Sequence, residues 1–545
     1  MMTTITVGEA VARTLEAHAV SAVYGVISIH NLPIADAIGQ RERVRFVPSR
    51  GEAGAVTMAD GHTRVGGLGV ALTSTGAGAG NAVGAMLEAL NAGTPLLHIT
   101  GQVEKAYLDR DAGFIHETRD QMGFLAACSK RAYRACTPEQ VVPLLHRAIQ
   151  EAMTLPRGPV SLEIPIDIQA SQVEWIETAP ASPAAPARVA DAEVDALAER
   201  LLAAKRPVLW IGGGCLEAGE AVRRLADAGI PVVSSTHARG VLPDSHPRSL
   251  RAFHSAPAVE ELFAASDLML VAGSRLRSNE TRTYSVALPR PLVQIDVDPA
   301  AAHRNYPADA FLCGECGDVL SRLADHLEGK RAPDAEVDRE VAKAVAAAEK
   351  ALRDQVGEYA KLCDAVRESL PADGIFVRDI TVSGSTWGSR LLPSERPLTN
   401  IHSLAGAIGQ GLATGIGCAV GAEDRKVVTV VGDGGLMLMV GELATLAQEG
   451  LDMTLVVMND GGYGVMRGIQ DKYFEGRQYY NDLHTPDFQA MADALGLPRW
   501  KVVRGDDFQA VLAEAVGRAG PAVVEVDMAS VGELKFAGPP QKTLY

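Results

Sequence analysis

The sequence predicts an α/β chain of three doubly wound parallel-sheet domains, and three observations carry that expectation. Short apolar, β-branched runs alternate with segments of helical periodicity along nearly the whole chain, the rhythm of right-handed βαβ crossovers. Several of those runs end in glycine or an acidic residue, as strands do where α/β sheets bind ligands. At 545 residues the chain also exceeds what one hydrophobic core supports.

In order, residues 6–18 have helical periodicity through Val7, Ala10, Val11 and Leu15 and lead into a strand at 22–26. A loop at 27–33 holds His30, and a helix runs through Ala35. A strand at 44–48 delivers Ser49-Arg50-Gly51-Glu52 and a small-residue helix at 53–63. The strand at 69–73 is followed by the glycine-rich 74–81 and a helix through Leu90. Strands at 95–100 and 158–165 complete a first domain, residues 1–176. The Pro/Ala stretch at 177–188 has no periodicity and reads as an extended linker. A second domain, 189–329, has strands at 207–211, 231–234, 268–272 and 291–295. Residues 330–369 are charged and Ala-rich, a helical connector. The third domain, 370–532, has strands at 375–377, 427–431, 454–458 and 522–526. Residues 533–545 form a tail expected to lie over a surface or a site.

Composition narrows the function. A net charge of −16 and a pI near 5.3 argue against nucleic acid or an anionic membrane as partner. The first residues lack a basic region followed by an apolar core, and no apolar run approaches the roughly 18–20 residues of a membrane span. Seven scattered cysteines fit a reducing cytoplasm, and Cys313-Gly-Glu-Cys316, lacking a second pair or spaced histidines, reads as two ordinary thiols.

The most informative stretch is the unit from Lys426 to Gly464. A buried strand meets Gly432-Asp433-Gly434-Gly435, a helix is expected over 436–448, and a second buried strand ends in Asn459-Asp460-Gly461-Gly462-Tyr463-Gly464. A parallel βαβ unit sets the two strand ends side by side, where glycines admit a diphosphate and helix N–H groups face it. Asp433 and Asp460 then offer hard oxygen ligands, which suit Mg2+.

This pattern resembles the magnesium–diphosphate signature of thiamine-diphosphate (ThDP) enzymes. The resemblance implies a metal held by Asp433, Asp460 and the Gly462 carbonyl, with Asp460 where many members have Asn. It implies cofactor contacts from Gly432, Gly434, Gly435 and Tyr463, and further diphosphate contacts from Ser383. Ser49-Arg50-Gly51-Glu52 and Ala59-Asp-Gly-His-Thr-Arg64 resemble a second family stretch, with Gly51 in place of the usual His. By that likeness Glu52 hydrogen-bonds the cofactor's aminopyrimidine and favours the tautomer that removes the C2 proton. In the stretch from Ile401 to Gly411, the Gly406 carbonyl accepts from the exocyclic amine and Ile408 wedges between the two rings. His30 and Gln121 match residues of benzaldehyde lyase-like members and are candidates for substrate-level catalysis, with His116 a further candidate.

Departures matter as much. Met466 stands where pyruvate decarboxylase-like enzymes have Glu, and Gly464-Val-Met-Arg-Gly-Ile469 lacks the Trp of biosynthetic acetolactate synthases. The domain order still resembles the acetolactate synthase branch. Some relatives hold FAD in the middle domain, where Gly212-Gly-Gly214 and Gly273-Ser-Arg-Leu-Arg277 lie, but glycine after a strand is common to α/β domains. The expected cofactors are therefore ThDP and Mg2+. The resemblance implies a carboligase or lyase acting on a 2-ketoacid, acyloin or aldehyde, with a 2-ketoacid decarboxylase and a non-catalytic ThDP-fold protein as alternatives. It also implies a homodimer or homotetramer with active sites at the subunit interface.

Overall fold

The computed structural model describes residues 3–534, so the expected tail lies, from residue 535 on, outside the described residues. Three parallel sheets follow one another along the chain, each flanked by helices. The first runs Arg45–Pro48, Ala22–Gly25, Val70–Thr73, Leu97–Gln102, Val160–Pro165, Arg131–Arg134 from edge to edge. The second runs Val232–Ser234, Pro207–Ile211, Leu268–Ala272, Leu292–Asp296, Ala310–Cys313. The third runs Asn400–His402, Ile375–Arg378, Val427–Gly432, Met453–Asn459, Ala522–Asp527, Arg499–Val502. In each sheet the chain starts inside, moves one strand outward, then returns across its first strand and proceeds the other way. The first and third sheets share the complete order.

That order creates a topological switch beside the first strand of every sheet, the crevice where such sheets bind ligands. In the third sheet it lies between Ile375–Arg378 and Val427–Gly432, which pair directly. In the first it lies between Ala22–Gly25 and Val70–Thr73. The second sheet's switch, between Pro207–Ile211 and Leu268–Ala272, opens onto Gly212–Gly214 and Gly273.

Four strands were not foreseen, Arg131–Arg134, Ala310–Cys313, Asn400–His402 and Arg499–Val502, and all four are sheet edges. Edge strands tolerate charge and brevity, and the two that carry arginine at their ends never show an apolar run. A small antiparallel pair, Thr3–Thr6 with Gln172–Trp175, also escaped notice.

The first and third sheets' helices pack into one core. Helices Glu52–Val65 and Gly411–Gly421 cross with their backbones nearly touching: a Cβ on Gly61 would collide with the Thr414 carbonyl, and one on Gly417 with that of Met58. The connector is two helices. Ala335–Val356 buries Val337, Val341, Ala344 and Ala348 against the middle sheet's layer, and Tyr359–Ser369 packs against Phe508–Gly517 of the third. No described helix is long and apolar enough to cross a membrane. The seven cysteines are free, with Cys316 buried and Cys313 exposed.

Candidate active site

The third sheet's switch point gathers the acidic pair. Strand Val427–Gly432 leads straight into a helix, Asp433–Leu438, so Asp433 is its first residue. The single helix expected over 436–448 is in fact two, Asp433–Leu438 and Glu442–Glu449. Met439 leaves helical geometry at φ −131°, and Gly441 precedes a Glu442 that is drawn away to accept from the Arg50 backbone N–H at 3.0 Å. Helical propensity is weak across Gly434, Gly435 and Gly441, so a tertiary contact decides the break.

Asp433 is 1 % exposed. Its Oδ1 faces the Asp460 N–H at 3.5 Å, while its Oδ2 is buried without a partner. Asp460 follows the next strand, Met453–Asn459, and is flanked by Arg467, which donates to the Asp460 carbonyl at 2.8 Å and lies 3.6 Å from its carboxylate. Burial first, and for Asp433 the neighbouring carboxylate second, push both acids up from the ordinary Asp range. Two such groups held together, with an oxygen left over, form a site whose cost a cation removes. Among the described residues no group of three or more His, Cys, Asp or Glu side chains is gathered to hold a metal, so a third protein ligand here would be a neutral oxygen.

The glycines around Asp433 are required by space. A Cβ on Gly434 would stand 2.8 Å from the Tyr463 ring and 3.0 Å from the Gly462 carbonyl oxygen. Gly462 itself has φ +153°, and a Cβ there would collide with the Asn481 carbonyl. Tyr463 and the Gly462 carbonyl thus flank the turn that carries Asp433. Ser383 lies in the short helix Val382–Ser385 with its Oγ buried and unpartnered, and Thr381, which caps that helix, approaches Gly432. The segment with Gly406 and Ile408 presents residues 405–408 to solvent, Gly406 at φ +84° and Ile408 38 % exposed. Asp379, after strand Ile375–Arg378, accepts from Gly409 N–H with both oxygens, and burial pushes its carboxyl up to about 6 against those backbone donors.

The first sheet's switch point brings together the other group. His30 is buried, its Nδ1 lacks a partner, and its ring meets that of His116 edge-on at 5.1 Å. Burial first, then His116, lowers the His30 pKa, so the ring is neutral at pH 7. His116 holds φ +65° and its carbonyl packs against Gly76. Gln121 joins this wall with its amide fully engaged: Oε1 accepts from Thr75 Oγ1 at 2.9 Å and Gly76 N–H at 2.7 Å, and Nε2 donates to the Gly101 carbonyl at 2.9 Å. Glu52 opens the helix Glu52–Val65, where a carboxylate is favoured by the helix dipole. Its Oε2 accepts from Asn81 at 3.2 Å, and Gly78 leaves room for its Oε1.

Asp379, Asn81 and Arg467 were not foreseen. Each acts through partners far away in sequence or through backbone groups, which leave no local motif. At the middle sheet's switch, Gly212–Gly214 and Gly273 line a cavity of about 260 Å³ with Arg275, Arg277 and Asp296.

Comparison with known proteins places these features in context. Family models described as thiamine pyrophosphate enzyme match three stretches: the N-terminal TPP binding domain at residues 5–124, the central domain at 194–323 and the C-terminal TPP binding domain at 381–526. The chain is 31% identical over 531 residues to the probable 2-ketoarginine decarboxylase of Pseudomonas aeruginosa, covering 96% of this chain and 94% of that protein. It is 30% identical to the acetolactate synthase isozyme 1 large subunit of Escherichia coli, covering 95% and 93%. With the acetolactate synthase large subunit of Corynebacterium glutamicum it shares 27% identity, covering 94% and 84%.

Proposed function

The chain belongs to the thiamine pyrophosphate enzyme family, in its acetolactate synthase-like branch, and from that premise we propose that it forms or cleaves a carbon–carbon bond beside the carbonyl of a 2-ketoacid, acyloin or aldehyde, using ThDP and Mg2+. The observation that carries this reading is the pair of buried Asp433 and half-buried Asp460, with an unpartnered Asp433 oxygen at a strand-end crevice. Asp433, Asp460 and the Gly462 carbonyl would hold the metal, an all-oxygen set that suits Mg2+ shared with phosphate oxygens. Gly432, Gly434, Gly435, Ser383 and Tyr463 would line the diphosphate. The Gly406 carbonyl and Ile408 would meet the ring end, and Glu52 the aminopyrimidine.

Bound ThDP supplies a carbon nucleophile and an electron sink beside the reacting carbonyl. The residues of this chain supply position and protons. Glu52 holds a hydrogen bond at the cofactor's ring nitrogen. Neutral His30, with Nδ1 free, takes or returns the proton of the substrate oxygen, and His116 stands beside it. Gln121 sets the wall between them through Gly76 and Gly101.

Assembly follows from surface chemistry. Ile27, Ile29 and Ile115 around the first sheet's switch, and Leu438, Tyr479 and Tyr480 near the third sheet's, are each more than half exposed. Apolar surface at both half-sites supports a homodimer or homotetramer in which Glu52 of one subunit completes the metal site of another. The free thiols support a cytoplasmic location. FAD is not called on in this reading, since glycine after a strand, as at Gly212 and Gly273, is common to α/β domains.

Decarboxylation of a 2-ketoacid is the second reading, favoured by similarity to the probable 2-ketoarginine decarboxylase. Met466, half exposed where pyruvate decarboxylase-like enzymes carry Glu, favours carboligation. Incubation with pyruvate, benzoylformate and benzoin under ThDP and Mg2+ separates them. A ketol, or cleavage of benzoin, supports the first reading, and free aldehyde from a ketoacid supports the second. Failure to bind ThDP would overturn both.

A further inference from the structure

Two buried carboxylates from distant parts of the chain grip the segment that carries Gly406 and Ile408. Glu88, on helix Ala77–Ala92 and 2 % exposed, accepts from Ser403 Oγ at 2.7 Å, Leu404 N–H at 2.6 Å and Ala405 N–H at 2.7 Å. Arg64 pairs with Glu88 at 3.0 Å and donates to the His402 carbonyl at 2.7 Å. At the other end Asp379, 2 % exposed, accepts from Gly409 N–H at 3.1 and 2.9 Å. Between these anchors residues 405–408 are exposed, and Gly406 and Gly409 hold φ +84° and +87°.

This arrangement exceeds what packing needs. A buried carboxylate costs several kcal/mol unless fully paired, and an apolar side chain would join the two layers at less expense. Glu88 instead turns both oxygens to three consecutive residues, 403–405, and Asp379 turns both to the N–H three residues beyond Gly406, its Oδ1 also accepting from Ile380 N–H at 2.7 Å. Short charge-assisted bonds of this kind fix a backbone that would otherwise sample several turns, since a left-handed glycine is permissive by nature.

We infer that Glu88 and Asp379 are positioning residues that set the Gly406 carbonyl and the Ile408 side chain at the height the bent cofactor requires. The role rests on the ThDP reading above. Burial opposes the Glu88 charge, but Arg64 and the loop's donors outweigh it and hold the carboxyl below the usual range, so the anchor is ionised at neutral pH. Arg64 belongs to the helix that begins with Glu52, so one rigid element ties the anchor to the catalytic carboxylate's end of the chain.

The test compares wild type with Ser403→Ala, Glu88→Gln and Asp379→Asn. Ser403→Ala removes one loop donor and leaves the Arg64–Glu88 pair intact, so it remains informative if Glu88→Gln does not fold. In the protein without cofactor, hydrogen exchange at the amides of Leu404, Ala405 and Gly409 is read by mass spectrometry; with ThDP and Mg2+, deuterium exchange at the cofactor's C2 is read by NMR after acid quench. Loop amides are expected to exchange at least about tenfold faster in the variants. C2 exchange is expected to slow by about 3- to 10-fold in Ser403→Ala and about 10²-fold in Glu88→Gln, with ThDP affinity changed less than about threefold. Wild-type rates of C2 exchange in these variants, whatever their melting temperature, would reduce the carboxylates to a structural clamp and overturn the role alone. Wild-type protein that binds ThDP without exchanging C2 would overturn the ThDP reading itself, and this role with it.

Discussion

His30 shows at the scale of one residue how burial sets the protonation state of a common side chain. The residue follows strand Ala22–Gly25 in the chain, its ring is buried with an unpartnered Nδ1, and burial, aided by His116, keeps it neutral at physiological pH. Its proton is bound only below the ordinary histidine value of 6.5, so the acid limb of the rate profile is expected below that pH. In His30→Gln that limb should vanish and kcat should fall by roughly 10²-fold, a general-base contribution of ordinary size. A full pH–rate profile of both proteins checks this. His30, Glu52, Asp433 and Asp460 could be singled out as candidates in the sequence because each sits within a few residues of a strand end marked by glycine or by an apolar run. Glu88 and Asp379 could not, since they accept from backbone N–H groups that any sequence provides and, for Glu88, from the side chains of Arg64 and Ser403, which lie far away in sequence.

At the scale of elements, the sequence marks buried strands well and edge strands badly. Pro207–Ile211 and Leu268–Ala272 are central, apolar throughout, and fall where the pattern puts them. Arg131–Arg134 and Arg499–Val502 are edges whose charged ends erase the signal. The break between Asp433–Leu438 and Glu442–Glu449 had the opposite cause: periodicity continues through 439–441, but Glu442 is recruited across the domain contact by Arg50 N–H. The crossing of Glu52–Val65 with Gly411–Gly421 also carries a consequence. Gly417→Ala would push a methyl into the Met58 carbonyl and force the helices apart. A loss of about 1–3 kcal/mol is expected, seen as a fall of several degrees in melting temperature, with weaker activity because the same helices bear Glu52 and follow the Gly406 segment. Gly450→Ala, at a helix end with open space around it, is the comparison that isolates backbone strain from crowding.

At the scale of the molecule, two sheets of identical order meet through their helices, and the residues proposed for catalysis are divided between their two switch points. The same interior sets acid tolerance. His98 is fully buried between Thr73 Oγ1 at 2.9 Å and Ser161 Oγ at 3.0 Å, and burial pushes it down to about 4. Neutral in the fold and ordinary when unfolded, it contributes stability that is present above pH 6.5 and is lost as pH falls through about 4, roughly 3 kcal/mol at completion. His62, pushed to about 4 by burial, adds a contribution of the same sign. Melting temperature should therefore fall steeply between pH 6.5 and 4.5, and less steeply in His98→Gln. The division of the catalytic parts between subunits is tested most directly by mixing two inactive variants. Glu52→Gln and Asp433→Asn are each expected to lose nearly all turnover as homo-oligomers. Unfolded and refolded together, they form mixed dimers with one intact site, and recovery of about a quarter of wild-type activity is expected. Mixed dimers that form, verified by differential tagging, yet remain as inactive as either parent would contradict the shared site.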